Sequence, residues 1–301
     1  MTRPNQLANS ALRWLLAAST ALAAVTAHAD IKGITGGAPL TASPTTRTFN
    51  LFAADGYINA ADGVQIYMWG FGAPVVDGGT GVMQVSGPTL LVNQGDAVTV
   101  NFTNNLLTPT SILFPGQSDV SASGGSPGVL AQEVAPGAAV QYTFTASQPG
   151  TYLYQSGTHP QVQVQMGLFG LAAKDGQAPG ATQRQLTANA ATVFDSDVAV
   201  VLSEIDPDQH TRIQSTLGST ILTTQQSWQA GGNSTFDYNP KYFLVNGKPY
   251  DGAGATDLPM PTFNGSFVAL RLANAGLKSR SLMLTKGHWQ LLTEDGNEYP
   301  A

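Results

Sequence analysis

The sequence contains no cysteine. Disulfide bonds are a common source of stability in exported proteins, so their absence means that each domain has to be held together by its hydrophobic core. The absence of thiols also excludes a nucleophilic cysteine, an iron–sulfur cluster and a blue-copper site formed by this chain alone.

Charged side chains are also scarce, at 11% of residues, and the net charge is −6. An acidic balance with few lysines argues against a phosphate-binding surface, so nucleic acid is not an expected partner. Glycine and proline, by contrast, are plentiful, with 33 and 18 residues. This composition is typical of a turn-rich β protein.

Long apolar runs are missing except near the N-terminus. Residues 1–14 are polar with two arginines, residues 15–25 are apolar and residues 27–29 read Ala-His-Ala. This order is typical of a secretory signal peptide, residues 1–29, with cleavage before Asp30. The apolar run is too short for a membrane anchor. We therefore expect a periplasmic or secreted protein with no membrane contact after the signal peptide is removed.

The rest of the chain, about 270 residues, suits two domains of ordinary size. A stretch rich in small residues precedes the first of them, and a polar stretch without a clear period separates the two. We predict a flexible lead-in at 30–46, a first domain at 47–175, a linker at 176–194 and a second domain at 195–301.

Short alternating segments indicate β-strands throughout this region. VTVNF at 98–102 and VQYTF at 140–144 alternate apolar and polar residues, as strands with one buried face do. Turn-forming residues flank them at 93–96, 135–137 and 148–150.

Further strands are predicted at 197–202, 242–245, 267–272 and 289–292. Residues 211–232 fit either a short helix or a long loop. Because no helix-period stretch is long enough for parallel α/β units, the sequence predicts an all-β fold of two β-sandwiches.

Two motifs of the first domain resemble those of a known family. Residues 87–96 read GPTLLVNQGD and residues 98–106 read VTVNFTNNL, as in the first cupredoxin domain of multicopper oxidases. That family continues with PTSIHWHG, whose two histidines bind the trinuclear copper site, whereas residues 109–116 here read PTSILFPG. Leu113 and Pro115 therefore occupy the two family ligand positions.

The second motif of the family, GTYxYHSH followed by GLYG, is similar to GTYLYQSGTHP at 150–160 and MGLFG at 166–170. Gln155 and Gly157 occupy its two histidine positions. Segments of the second domain resemble the family's middle domain, which binds no copper of its own: LSEID at 202–206, FLVNGKPY at 243–250, RLANAG at 271–276 and GHWQLLTEDG at 287–296.

The resemblance implies two cupredoxin-like (plastocyanin-like) Greek-key β-sandwich domains after the signal peptide, the second incomplete or at the end of the chain. It also implies copper as a cofactor and oxidoreductase activity with oxygen as the acceptor. The family's third domain, which supplies the blue-copper cysteine, has no counterpart here. With no cysteine and four histidines, one of them in the signal peptide, we expect no catalytic residue and no tightly bound copper in this chain alone.

The remaining histidines leave weak alternatives for a metal. His159 and Met166 offer an imidazole and a thioether for a weak copper site, but a loop histidine beside a core methionine is the favoured interpretation. For His288, at a predicted strand start, a structural role is favoured. His210 is predicted to lie in a solvated turn.

Three functions therefore stay open. The leading one is an exported cupredoxin scaffold, or N-terminal fragment of an oxidase, whose apolar face is covered by a missing C-terminal cupredoxin domain, a partner chain or a second copy. The others are the copper-binding part of a multicopper oxidase completed by a third domain or partner subunit, and a weak periplasmic copper binder.

Overall fold

The computed structural model of the protein describes residues 33–40, 44–176, 183–217, 237–249, 267–283 and 287–299. The predicted signal peptide, residues 1–29, lies outside this part of the chain. Strands dominate the described residues, and none of the helices among them is long and apolar enough to cross a membrane.

Residues 46–175 form a sandwich of two sheets, which we call the first domain. The larger sheet has the order β2-β1-β4-β6-β5 and the smaller one the order β3-β8-β7. Both sheets mix parallel and antiparallel pairs. The strands are β1 (Thr46–Asn59), β2 (Gln65–Gly72), β3 (Gly87–Asn93), β4 (Ala97–Asn104), β5 (Ser121–Gly124), β6 (Ala139–Thr145), β7 (Gly150–Gln155) and β8 (Phe169–Asp175).

Alternating side chains form the core between these sheets. Val98, Val100 and Phe102 of β4 are buried while the residues between them are less so, because successive side chains of a strand point to opposite faces. Phe71 packs edge-on against Phe102, with ring centroids 5.8 Å apart. The strands predicted at 98–102 and 140–144 are confirmed.

Part of the predicted lead-in lies against this domain. Ile34 is buried and forms a parallel bridge with Leu90 of β3. The guanidinium of Arg47 donates to the carbonyl oxygens of Thr35 and Ala38, at 2.6 and 2.5 Å. These hydrogen bonds attach residues 34–38 to the start of β1.

A second sheet follows, and we call it with its flanking segments the second unit. Its order is β11-β10-β9-β12, and a two-stranded hairpin, β13-β14, lies near the end of the chain. The strands are β9 (Ser196–Ile205), β10 (Tyr242–Val245), β11 (Lys248–Pro249), β12 (Val268–Asn274), β13 (Thr293–Glu294) and β14 (Asn297–Glu298). Strands β9, β10 and β12 correspond to those predicted at 197–202, 242–245 and 267–272.

The described residues contain two α-helices, α1 (Pro160–Gln163) in the first domain and α2 (Pro207–Leu217) after β9, and two 3-10 turns at Val75–Asp77 and Ala190–Thr192. The helix considered for residues 211–232 is present up to Leu217, and residues 218–232 lie outside the described part. The prediction of a strand at 289–292 is wrong. Trp289 and Leu291 are exposed and lie outside any strand, because no neighbouring strand pairs with this apolar run among the described residues.

An apolar interface joins the second unit to the first domain. Side chains from both form one buried cluster, which contains Val201, Ile205 and Leu244 from the second sheet and Ile66, Met68, Val85, Phe169 and Leu171 from the first domain. Burial of apolar side chains on both sides excludes water from this contact, so the hydrophobic effect stabilises the arrangement.

A cluster of four charges also links the two parts. Arg271 of β12 contacts Asp175 at the end of β8, at 2.5 Å, and Asp197 of β9, at 3.1 Å. Arg184, which lies in the predicted linker, contacts the same two carboxylates at 2.6 and 2.9 Å. The two arginines and two aspartates balance in charge, as buried ion pairs require.

Candidate functional site

The two motif segments that carry the family ligand positions lie side by side in the structure. The backbone N–H of Leu113 donates to the carbonyl oxygen of Gln155 at 2.7 Å, and the N–H of Gln155 donates back to that of Leu113 at 3.0 Å. The 109–116 and 150–160 segments are far apart in sequence but are joined here by a short antiparallel bridge. The structure therefore brings two of the four predicted positions, Leu113 and Gln155, side by side.

The side chains at these positions offer few atoms that bind copper. Leu113 is half-buried and aliphatic, Pro115 is exposed, Gln155 is half-buried and carries an amide, and Gly157 has no side chain. Copper in proteins is held by imidazole, thiolate and thioether groups. Within the described residues, no group of three His, Cys, Asp or Glu side chains could hold a metal ion. The donor set at these positions therefore does not fit a copper cluster.

Close packing around Gly157 also leaves little room for a larger residue. A Cβ atom built on Gly157 would lie 3.0 Å from the Cβ of Ala131, 3.1 Å from the Oγ of Ser111 and 3.4 Å from the Cβ of Leu113. The first two distances are shorter than ordinary van der Waals contacts. A histidine at position 157 would force its neighbours to move.

Hydroxyl and amide groups next to these positions form a buried network. Thr110 and Ser156 both donate to the side-chain oxygen of Gln163, at 2.7 and 2.6 Å. The hydroxyls of Ser111 and Thr158 lie 2.9 Å apart, within hydrogen-bond distance. Because these buried groups satisfy one another, the network holds the 109–116 and 155–163 segments together.

Aromatic rings lie behind the 112–116 segment. Phe114 packs against Tyr142, Phe144 and Tyr154, with ring centroids 5.8, 5.0 and 6.4 Å apart. The hydroxyl of Tyr142 accepts from the N–H of Ile112 at 3.1 Å and donates to the carbonyl oxygen of residue 132 at 2.7 Å. Burial raises the pKa of Tyr142 to about 12, so this phenol stays neutral.

His159 and Met166 occupy different surroundings. His159 is half-buried at the start of α1, in a left-handed conformation with φ 44°. Met166 is fully buried and belongs to the hydrophobic core of the first domain. His288 is exposed. Met166 thus occupies the core position considered for it, whereas the weak copper site at His159 stays a prediction.

The interpretation of His210 as part of a solvated turn is wrong. His210 lies in α2 and is 1% exposed. Its Nδ1 is 2.6 Å from the carbonyl oxygen of Tyr67, and its Nε2 is 3.1 Å from that of Gln165. Burial lowers the pKa of this imidazole to about 4, although the hydrogen bonds to the two carbonyls act to raise it. His210 therefore joins the second unit to the first domain.

The sequence does contain a signal for this helix. The side chain of Asp206 accepts hydrogen bonds from the backbone N–H groups of Asp208 and Gln209, at 3.0 and 3.2 Å. An aspartate before a proline is a typical helix start, since proline is favoured in the first turn and the carboxylate caps free N–H groups. The same residues also favour turns, so the local sequence does not distinguish the two structures.

Comparison with known proteins connects this fold with copper proteins. Residues 80–178 match the family model described as multicopper oxidase. A multicopper oxidase of Cercospora beticola, CTB12, is 39% identical over 97 residues, which cover 31% of this chain and 15% of that protein. Copper resistance protein A of Escherichia coli is 33% identical over 107 residues, 36% of this chain and 16% of that protein.

Solved structures share the fold over a larger part of the chain. A structure titled as a multicopper oxidase superposes with a TM-score of 0.54 at 21% identity, covering 84% of this chain and 70% of that one. A copper nitrite reductase from Nitrosomonas europaea gives a TM-score of 0.52 at 21% identity, with 78% and 69% covered. The two curated relatives named above, in contrast, are matched over less than a fifth of their own length.

Proposed function

Because residues 80–178 match the multicopper oxidase family model, we propose that the protein is an exported cupredoxin scaffold, or the N-terminal part of an oxidase, with no redox-active copper centre of its own. The observation that carries this proposal is which residues occupy the four family ligand positions. They hold Leu113, Pro115, Gln155 and Gly157, and hydroxyl and amide hydrogen bonds fix the surrounding segments instead.

Metal analysis of the full chain tests this proposal. The protein is expressed with its own leader in copper-supplemented medium, purified, dialysed and assayed for copper per chain and for oxygen consumption with a phenol. We expect less than one copper per chain, no blue colour and no oxygen consumption. Variants His159→Ala and His288→Ala show whether any residual copper is bound by half-buried His159 or by exposed His288.

Several coppers per chain together with oxygen consumption would overturn the proposal. A single copper per chain that is lost in His159→Ala but kept in His288→Ala would replace it with the periplasmic copper binder considered from the sequence.

Export is a part of the proposal that rests on the N-terminal sequence. Residues 1–29 have the polar, apolar and small-residue order of a signal peptide. Mass spectrometry of the protein recovered from the periplasm or the medium should give a mature N-terminus at Asp30. Recovery of the uncleaved chain from the cytoplasm alone would contradict export.

An exposed apolar face supports a partner for the second unit. In the second sheet, Leu270 and Leu272 pair in register with Val198 and Val200, so the four side chains share one face. The two valines are buried, and the two leucines are the exposed part of this set. Leu270 and Leu272 are 38% and 46% exposed, and Phe243 of β10 is 45% exposed. Exposed apolar side chains at this density mark a surface that another protein surface covers.

We propose that a further cupredoxin domain, a partner chain or a second copy covers this face. Light scattering coupled to gel filtration tests for a second copy, since self-association gives a dimer whose mass depends on concentration. The double variant Leu270→Ser and Leu272→Ser should weaken any such association, whereas Val76→Ser, which changes a 91% exposed residue of the first domain, should leave it intact.

A second candidate function is the copper-binding part of an oxidase completed by another chain. It is favoured by the backbone bridge between Leu113 and Gln155, which holds the two segments that resemble the family motifs side by side. Co-expression with a separate cupredoxin domain that carries the blue-copper cysteine tests it. Copper and oxidase activity that appear only in the co-expressed complex would support this candidate over the scaffold.

A further inference from the structure

The second sheet repeats part of the first domain. Strand β9 pairs antiparallel with β10 and parallel with β12, just as β1 pairs with β2 and β4. In the first domain, β4 also pairs antiparallel with β6 on its other side. Among the described residues, no strand pairs with the corresponding side of β12. We call this side of β12, away from β9, the open edge.

Two asparagines set the register of this repeat. The side chain of Asn104, at the end of β4, accepts from the backbone N–H two residues later at 2.9 Å and donates to the carbonyl oxygen four residues later at 2.8 Å. The side chain of Asn274, at the end of β12, makes the same two hydrogen bonds at 3.1 and 3.0 Å. Asn274 therefore corresponds to Asn104, and the residues before them can be compared one by one.

The core side chains of β4 have exposed counterparts in β12. Val100 and Phe102 are fully buried in the core of the first domain. Their counterparts are Leu270 and Leu272, which are 38% and 46% exposed. A facing sheet and neighbouring strands normally cover such positions in a β-sandwich. The two leucines therefore lie where the first domain has a closed core.

The backbone of β12 also presents hydrogen-bonding groups at the open edge. The N–H of Ala275, directly after β12, donates to the carbonyl oxygen of Leu202 in β9 at 2.8 Å. Backbone groups of successive residues in a strand point to opposite sides. Those of Leu270, Leu272 and Asn274 therefore point away from β9. An edge strand of this kind is a template for an added strand.

We propose that the open edge binds an extended strand of a partner polypeptide, which adds antiparallel to β12 as β6 does to β4. In the first domain, Tyr142 of β6 lies opposite Val100. The added strand should likewise place apolar side chains, at every second position, opposite Leu270 and Leu272. The inference rests on the partner proposed above for the second unit and specifies how that partner binds.

A peptide with the sequence of strand β6 is the probe. Residues 137–147 read GAAVQYTFTAS and contain the required alternation. The carbonyl oxygen of Ala138 accepts from the N–H of Asn104 at 3.0 Å, so the N–H groups of residues 140 and 142 also face β4 and those of residues 141 and 143 point away. Methylation of the nitrogens of 140 and 142 removes the donors needed for strand addition, and methylation at 141 and 143 is the matched control.

Fluorescence anisotropy of the fluorescein-labelled peptides, titrated with the full chain, measures binding. The unmodified peptide should bind saturably. Methylation at 140 and 142 should weaken binding at least tenfold, whereas methylation at 141 and 143 should leave it unchanged. Because both comparisons use the wild-type chain, they do not depend on the folding of a variant.

A pair of variants locates the binding site. Leu272→Lys places a charge beside the added strand and should weaken binding of the unmodified peptide at least tenfold. Leu277→Lys makes the same change at a 65% exposed residue after β12 and should bind as the wild type does. A peptide that exchanged with β6 in the first domain would bind both variants equally, which would contradict the proposed site.

Two further results would overturn the inference: no saturable binding up to the solubility limit of the peptide, or equal binding of the two methylated peptides. Equal binding that is still lost in Leu272→Lys would show a contact of apolar faces without strand addition, so the partner proposed above would stand while this inference failed. A dimer that Leu272→Lys converts to a monomer in light scattering would assign the open edge to a second copy and would also overturn it. None of these results changes the copper content, so the proposal on copper is tested separately.

Discussion

Replacement of His210 by glutamine should remove an acid-sensitive contribution to the stability of the fold. Burial lowers the pKa of His210 in the folded protein from 6.5 to about 4, whereas the exposed imidazole of the unfolded chain keeps its ordinary value. Between these two pH values the unfolded state binds more protons than the folded state. The contribution is therefore fully present above about pH 6.5 and is lost as the pH falls through about pH 4.

The size of the effect follows from the difference between the two pKa values. Each pKa unit corresponds to about 1.4 kcal/mol, so a fall from 6.5 to about 4 corresponds to about 3 kcal/mol. The two carbonyl contacts of His210 do not cancel the cost of charging it, because a neutral imidazole already donates to one of them. Glutamine has no titratable group, so the unfolding free energy of the variant lacks this dependence on pH.

Urea denaturation at a series of pH values measures the effect. Between about pH 7.5 and about pH 4.5 the wild type should lose about 2–3 kcal/mol more unfolding free energy than His210→Gln. The titration of acidic side chains changes the stability of the wild type and of His210→Gln equally, so it cancels when the two unfolding free energies are subtracted. His288→Gln, which changes an exposed histidine, is the control and should follow the wild type.

A wild type whose stability relative to His210→Gln stays constant with pH would refute this reasoning. A relative stability that rises on acidification would show instead that the carbonyl oxygens of Tyr67 and Gln165 hold a charged imidazole, with both ring nitrogens donating.

Three further substitutions test the buried groups. Arg271→Met should lower the unfolding free energy by about 3–5 kcal/mol, because it leaves two buried carboxylates with a single guanidinium. The control Lys241→Met breaks an exposed ion pair and should lower the unfolding free energy by less than about 1 kcal/mol. Lys174→Met should be more stable than the wild type at pH 7 by up to about 3 kcal/mol, since burial lowers the pKa of Lys174 from 10.5 to about 8. This difference in unfolding free energy should disappear between about pH 8 and about pH 10.5, where the lysine loses its proton first in the folded and then in the unfolded state. Urea denaturation of the wild type and Lys174→Met at pH 7 and above pH 10 measures the difference and its loss. Gly157→His should lower the melting temperature through a loss of about 1–3 kcal/mol from overpacking, and an unchanged melting temperature would show that the site has room.

Two strands of the first domain, β4 and β6, could be predicted because each has one face that is more buried than the other. The alternation in VTVNF and VQYTF at 98–102 and 140–144 reports burial directly, and β4 and β6 follow it. The apolar run at 289–292 gives the same kind of signal, yet it lies exposed outside any strand. A strand needs a neighbour to hydrogen-bond with, and a local pattern does not contain that information.

The candidate site could be predicted in position but not in its interactions. The family motifs align Leu113 and Gln155 with one site, and the structure places the two residues together. The hydrogen bonds of Thr110 and Ser156 with Gln163 arise from residues that are individually ordinary, and Thr110 is far from the other two in sequence. The burial of His210 depends on the contact between the first domain and the second unit, which no local pattern shows.

The four-charge cluster has a consequence for how the protein unfolds. Asp175 ends a strand of the first domain, while Asp197 and Arg271 belong to the second sheet. If the first domain or the second unit unfolded alone, the charged side chains in the part that stayed folded would lose ion-pair partners. Such a partly unfolded state is disfavoured by several kcal/mol. Heating should therefore unfold the first domain and the second unit in one cooperative transition, with equal calorimetric and van't Hoff enthalpies.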